Sequence, residues 1–264
     1  MNQIELINVR KDYTTKTLGT VTAVNNFNLT IKKGECFSFL GPSGCGKTTT
    51  LRMLAGFEDL SEGEIRLEGK VVSNKAKNLY VPPEHRNLGM VFQAFAVWPH
   101  LNVFDNVAFP LQVQKRPKAE IEERVNLALK QTNLLDQAKV FPSDLSGGEQ
   151  QRIALARSIV VNPGILLLDE PLSNLDPKLR ESMRFEIKRL QKEYNFTIVF
   201  VTHDQSEALA LSNRLLVMNK GEIIQIGTPQ ELYNKPVNLF VHNFLGESNF
   251  TKVVYRDGKV YADG

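Results

Sequence analysis

Gly41-Pro42-Ser43-Gly44-Cys45-Gly46-Lys47-Thr48 constrains this chain more than any other stretch, because it fits the pattern G-x-x-x-x-G-K-[ST]. Glycines at these places let backbone N–H groups approach phosphate oxygens without side-chain clash, and a helix after Lys47 points its positive end at them. Lys47 supplies a point charge to the β- and γ-phosphates, and Thr48 offers a hydroxyl to Mg²⁺. The motif needs a strand before it and a helix after it. Cys36–Leu40 reads as a short strand, and Thr48–Leu54 starts a helix that stops near Gly56. A glycine-rich turn with a chance Lys-Thr would lack that context. By itself a P-loop leaves kinases, GTPases, helicases and other NTPases open.

Hydrophobic patterning arranges the rest of the chain around this loop. Ile4–Val9 alternates weakly, and Ala23–Ile31 carries Val24, Phe27, Leu29 and Ile31 as inward residues before a turn at Lys33-Gly34. Gly63–Leu67, Val71-Val72 and Gly89–Phe92 read as further short strands, the last ending at Gln93. From about Phe95 the pattern turns helical. Within Lys118–Thr132, Ile121, Val125, Ala128 and Leu129 fall at helical spacing. Leu145–Val161 reads as a loop entering a helix. Ile165–Leu168 and Thr197–Val201 return to strand, separated by a helix with Leu179, Met183, Ile187 and Leu190 on one face, which implies a parallel βαβ arrangement. The expected class is α/β: a P-loop core over residues 1–235, with an N-terminal antiparallel β subdomain and a helical insert at about 94–162. Beyond Pro236, Val253–Tyr255 and Val260-Tyr261 flank Arg256-Asp257-Gly258-Lys259, and Asp-Gly suits the positive φ of a type I′ hairpin. One hairpin is marginal alone, so 236–264 is expected to be a linker and the first hairpin of a truncated β domain.

Composition narrows the partners. The 264 residues are 42% hydrophobic and 23% charged, ordinary for a globular protein, with a formal net charge of +3. That charge is too small to argue for nucleic-acid binding, and no basic run of the kind that marks a polyanion-binding arm appears. Cys36 and Cys45, the only cysteines, surround the P-loop and suit a reduced compartment rather than a disulfide scaffold. Met1–Glu5 lacks the basic start and apolar run of a secretory signal. No apolar run approaches the roughly 20 residues of a spanning helix. Work at a membrane would therefore need a partner to hold the chain there.

The strand ends carry the remaining chemistry. Asp169 and Glu170 close an apolar strand, and strand ends of parallel sheets open onto the ligand crevice. Asp169 is expected to orient Mg²⁺ and Glu170 to polarise an attacking water; two acids capping a turn before Pro171 are the plainer alternative. Leu145-Ser146-Gly147-Gly148-Glu149-Gln150-Gln151-Arg152 opens a helix near Glu149 and makes a second anion-binding helix N-terminus. One chain cannot wrap two such sites around one γ-phosphate if they lie on different subdomains facing the same way.

With this octet between the P-loop and Ile165–Glu170, the chain resembles the nucleotide-binding subunit of an ATP-binding cassette (ABC) transporter over nearly its whole length. The resemblance implies the ABC ATPase fold, with ATP and Mg²⁺ bound. It implies an ATP-dependent head-to-tail homodimer, in which Ser146, Gly147 and Gly148 of one chain meet the ATP held by Gly41 to Thr48 and Thr49 of the other. Catalytic roles follow for Glu170, His203, Lys47 and Gln93. His203, after the strand Val199–Thr202, matches the switch histidine that contacts the γ-phosphate and the attacking water. Gln93 matches the Q-loop glutamine, whose amide reaches the Mg²⁺ held by Thr48 and Asp169. Ser173-Asn174-Leu175-Asp176 corresponds to the D-loop, with Asp176 at the dimer seam. Tyr13 matches the aromatic that stacks on adenine, although a tyrosine half-buried on the sheet would look the same.

The resemblance is to the sugar, polyamine and ferric-iron importer branch. There an oligonucleotide-binding-like regulatory domain follows the join matched by Phe244-Leu245-Gly246-Glu247-Ser248-Asn249. It implies integral membrane permease subunits docking near Gln93, with Phe95, Val97 and Trp98 as contacts or as core. A substrate-binding protein would act indirectly, nucleic acid would play no part, and the chain would sit peripherally on the cytoplasmic face of the cell membrane. Ala96–His100 looks more like the ferric-iron branch than the sugar branch, with polyamine, phosphonate and sugar importers as alternatives. A soluble ABC ATPase acting on ribosomes or DNA usually carries paired cassettes or a long coiled-coil insertion, and neither is present. Intact Lys47, Asp169, Glu170 and His203 argue against a non-hydrolysing scaffold, and Pro82–Arg86 favours an importer over an exporter.

Overall fold

Alternation in the first quarter of the chain builds an antiparallel sheet. The computed structural model describes residues 1–16, 19–246, 251 and 253–262. Strands β1 (Asn2–Thr15) and β2 (Gly19–Lys32) pair along their length, and Ile4, Leu6, Val9, Val24, Phe27, Leu29 and Ile31 point into the core. Both strands outrun their sequence pattern. Arg10-Lys11-Asp12 breaks the alternation, yet it stays in the ladder because Arg10 pairs with Asp12 at 2.8 Å and Thr22 bonds Asp12. Register shifts at Leu6/Val9 and beyond mark bulges that bend the long ribbon.

Next come β3 (Cys36–Leu40), α1 (Lys47–Ala55), β4 (Glu62–Leu67), β5 (Lys70–Asn74), β6 (Leu79–Tyr80) and β7 (Leu88–Val91). β4, β5 and β6 extend the first sheet in the order β2-β1-β4-β5-β6. Helices α2 (Val103–Val113), α3 (Lys118–Gln131) and α4 (Gly147–Ile159) form the expected insert between β7 and β8 (Ile165–Asp169). The chain then runs through α5 (Pro177–Tyr194), β9 (Thr197–Thr202), α6 (Gln205–Leu211), β10 (Arg214–Asn219), β11 (Glu222–Gly227), α7 (Pro229–Asn234) and α8 (Leu239–Leu245).

The second sheet has the order β11-β10-β3-β9-β8-β7, parallel except at β10–β11. Its residues alternate between two cores, as period-two side chains must. Phe37, Phe39, Leu167 and Val199 face α1 and the antiparallel sheet, whereas Leu166, Leu168, Ile198 and Phe200 face the helical side. Because these strands run together, the ends of β3, β7, β8 and β9 open onto one edge. Leu40 is level with Thr202, Asp169 with Val201 and Val91 with Leu168.

The boundary expected at residue 236 needs correction. α8 follows it and buries Val241 and Leu245 against Leu40, Leu215, Val217 and Leu232, so the packed body continues to Leu245. Beyond, β12 (Val253–Arg256) and β13 (Lys259–Ala262) pair through Asp257 (φ 53°) and Gly258 (φ 74°), both left-handed as the Asp-Gly reading requires. Of the join expected at 244–249, Glu247, Ser248 and Asn249 lie outside the described residues. No described helix is long and apolar enough to cross a membrane.

Candidate active site

The loop between β3 and α1 owes its shape to close approach. A Cβ on Gly46 would lie 2.4 Å from the Ala23 carbonyl oxygen, and its φ of 106° is left-handed. Gly46 caps α1 without a side chain, so the first-turn N–H groups keep facing the loop. The Lys47 side chain is buried, and its Nζ donates to the carbonyls of Gly41 (2.7 Å) and Pro42 (3.0 Å). Cys45 is buried beside it with its thiol pushed up, chiefly by burial. Ser43, Gly44 and Thr48 are exposed, while Pro42 and Thr49 are half-buried.

Thr48 joins the P-loop to β8: its hydroxyl donates to Asp169 Oδ1 at 3.1 Å. Burial holds the Asp169 carboxyl above the usual carboxylate range, with neighbouring Glu170 adding and the Thr48 bond opposing. Mg²⁺ at an ATP site takes one or two protein oxygens and completes its shell from phosphates and water. A hydroxyl and a carboxylate side by side fit that donor set. No group of three or more His, Cys, Asp or Glu among the described residues forms an all-protein cage.

Glu170 holds the centre of the site in a left-handed backbone position (φ 44°). Its N–H donates to Val201 O at 2.9 Å, and the Ser173 hydroxyl donates to its carbonyl at 2.9 Å. Its Oε2 lies 3.1 Å from His203 Nδ1 and accepts from Gln93 Nε2 at 3.2 Å. The side chain of His203 remains 58% exposed, so the imidazole faces outward from the strand ends while touching Glu170. Thus Lys47, Thr48, Asp169, Glu170, His203 and Gln93 converge on one edge. Gln93 reaches the cluster through Glu170; no hydrogen bond takes it to Thr48 or Asp169 among the described residues. Asn174 donates to Gln93 O at 3.0 Å, a link between the 173–176 turn and the glutamine that spacing alone does not reveal.

The Ser146 octet lies apart. Ser146 caps α4, which begins at Gly147 rather than near Glu149, and forms a reciprocal capping box with Glu149. Its hydroxyl donates to Glu149 Oε2 at 2.6 Å, and this holds the Glu149 carboxyl below its usual range. Ser146 is exposed, and no hydrogen bond joins residues 146–148 to the P-loop among the described residues. A Cβ on Gly148 would come within 3.1 Å of Leu179, so α4 abuts α5 here. Asp176 is the exposed N-cap of α5 and accepts from the N–H groups of Lys178 and Leu179. Tyr13 is half-buried on β1 opposite Val21, with Lys11 Nζ 4.9 Å from its ring centre.

Beyond Gln93, Phe95 and Val97 are half-buried against the helical core, which favours the core reading for both. Trp98 packs between Phe109 and the Arg157 guanidinium, each at 4.4 Å. It lines a groove of about 740 Å³ with Phe57, Pro83, Phe92, Phe109 and Val113.

Fold and site together define a P-loop nucleotide-binding protein with an acidic pair and a histidine at its phosphate edge. The ABC transporter family profile matches residues 24–173, and the chain belongs to that family. The trehalose/maltose import ATP-binding protein MalK of Thermococcus litoralis is 48% identical over 248 residues, covering 93% of this chain and 67% of that protein. The spermidine/putrescine import ATP-binding protein PotA of Thermobifida fusca is 53% identical over 246 residues, covering 93% and 62%. The chain thus spans 62–67% of the length of these relatives. A dimeric post-hydrolysis structure of the ATP-binding cassette MJ0796, bound to ADP and phosphate, superposes with a TM-score of 0.74 at 33% identity. It covers 86% of this chain and 98% of that one. The relatives are named for sugars and polyamines, so the preference for ferric iron drawn from Ala96–His100 finds no support in them.

Proposed function

We propose that the chain hydrolyses ATP as the energising subunit of an ABC importer for a sugar or polyamine. The observation that carries this reading is the Glu170 carboxylate, held by His203 and Gln93 one residue from the Thr48–Asp169 pair. α1 aims its N-terminal N–H groups at the phosphates, and Lys47 exchanges the loop carbonyls for phosphate oxygens. Mg²⁺ bound by Thr48 and Asp169 would neutralise charge on the β- and γ-phosphates. Glu170 Oε2 accepts hydrogen bonds in this arrangement, so it can orient a water and take its proton. His203 keeps that carboxylate aimed and presents its exposed ring edge toward the γ-phosphate. Tyr13 stacks on adenine.

Two chains assemble head to tail, Ser146 and Gly148 of each meeting the nucleotide on its partner's P-loop, with Asp176 at the seam. Hydrolysis removes the bridging phosphate and the chains part, a switch of the γ-phosphate-released kind. The groove lined by Phe57, Phe92, Trp98 and Phe109 takes a permease segment at the cytoplasmic face of the membrane. Residues up to Leu245 form the ATPase body, and the 253–262 hairpin opens a further β domain. The cargo is read by the permease and a binding protein rather than by this chain. Pull-down of the tagged protein from detergent-solubilised native membranes tests the reading. A co-purifying multi-spanning permease supports it; ribosomes or DNA, with ATPase activity intact, would sink the transport role and leave the ATPase.

A further inference from the structure

Arg180 stands where the turn after Glu170 meets the strand end that carries His203, and the mechanism above gives it no part. From the first turn of α5, its Nη2 donates to Leu175 O and its Nη1 to Asp204 Oδ2, each at 3.3 Å. Its Nε lies 3.6 Å from Glu207 Oε1. Glu207 is only 2% exposed, and a carboxylate so deep is strongly unfavourable without a cation beside it. The other Glu207 oxygen accepts from the Thr202 hydroxyl at 2.6 Å, and Thr202 Oγ1 in turn accepts from Asp204 N–H at 3.0 Å. Asp204 Oδ1 accepts from the N–H of Glu207 at 3.1 Å, closing the first turn of α6. His203 sits between Thr202 and Asp204, so the residues on both sides of it are tied to the Arg180–Glu207 pair. At its other end Arg180 grips Leu175, in the turn whose Ser173 bonds Glu170 and whose Asn174 bonds Gln93.

We propose that Arg180 is a positioning residue that holds the 173–176 turn and the His203 backbone in one frame, so that displacement of the turn is passed to the imidazole beside Glu170. The guanidinium suits this task because two of its nitrogens donate to Leu175 and Asp204 while its Nε stays at ion-pair distance from Glu207, a fork that an ammonium lacks. The inference rests on the ATPase reading and deepens it.

The test is steady-state ATP hydrolysis by the purified chain carrying Arg180→Met, Arg180→Lys, His203→Ala, or Arg180→Met with His203→Ala. Misplacing a reacting group by about an ångström can cost ~100-fold, so Arg180→Met should lower kcat by roughly 10–100-fold. KM for ATP should stay within about twofold, because no phosphate contact is lost. Arg180→Lys should recover part of kcat. In the His203→Ala background, Arg180→Met should cost no more than about a further twofold, since one residue acts through the other. If Arg180→Met does not fold, Glu207→Gln probes the same frame from its far end, keeping an acceptor for Thr202 while losing the charge that holds Arg180. Full additivity of the two losses, or a lower melting temperature with kcat intact, overturns the proposal. A wild-type chain without ATPase activity would instead remove the reading on which it rests.

Discussion

Glu170 adopts a backbone conformation that costs a non-glycine residue about 1–3 kcal/mol, and such strain persists where surrounding structure over-determines it. Here Val201 O, the Ser173 hydroxyl, His203 and Gln93 all hold the residue. A glutamine keeps the backbone and most of these bonds but cannot take a proton. Glu170→Gln should therefore bind ATP with near-normal affinity and hydrolyse it about 10²–10⁴-fold more slowly; turnover near the wild-type rate would remove the proton-accepting role. Asp169 makes a second case, with a sign that runs against intuition. Its folded pKa is raised, chiefly by burial, so its contribution favours folding fully only below the unfolded pKa. That contribution is lost as pH rises through the raised value, leaving the ionised group as a cost at neutral pH. Asp169→Asn should consequently melt higher than wild type at neutral pH, with the gap closing in acid, while losing Mg²⁺-dependent ATPase activity. Thermal melts of the nucleotide-free chain across that range decide the matter, and equal melting temperatures at neutral pH would contradict it.

The elements explain why the site was partly legible. β3, β8 and β9 are short, mostly apolar strands buried at every position, the mark of strands covered on both faces, and they lead into Gly41, Asp169 and His203. Parallel pairing then delivers those residues to one edge. α3 and α5 follow from helical spacing. From β10 to α8 the chain carries signals that the patterning above does not use: Leu215–Met218 is as apolar as β8, and Thr228-Pro229-Gln230-Glu231 is a capping box. Contacts such as Asn174 to Gln93 and Arg180 to Glu207 could not be read, because they depend on how far each helix is rotated when it packs. At α4 Ser146 is the observed N-cap, and the proposed contact to a second chain's nucleotide falls on the same residue. As an N-cap, its loss in Ser146→Ala should cost about 1 kcal/mol, lowering the melting temperature by roughly 2–4 °C. As a contact to a second chain's nucleotide, the same change should also lower kcat/KM per folded chain. Loss of melting temperature with kcat/KM unchanged would leave the serine a cap and nothing more.

At the scale of the whole molecule, the separation of the Ser146 turn from the P-loop bears on assembly. Each chain holds one exposed helix start at Ser146 and one phosphate loop, with no bond between them among the described residues. A head-to-tail pair makes each site from the loop of one chain and the turn of the other, by twofold symmetry. This predicts a complementation that a self-contained site cannot produce. Lys47→Ala removes the loop charge, Ser146→Arg places a long side chain at the turn, and each variant alone should be inactive because both of its composite sites contain a defect. In a mixed pair, one site collects both defects and the other collects none. With random pairing, half the dimers are mixed and half their sites are intact, so an equimolar mixture should recover about a quarter of the wild-type rate if the sites act independently. Coupling between the two sites would lower that fraction without abolishing it. Recovery should appear only on mixing and grow with total chain concentration, as a second-order association requires. If the mixture stays as inactive as its components while each variant still folds and binds its expected share of ATP, the two halves of the site do not come from different chains.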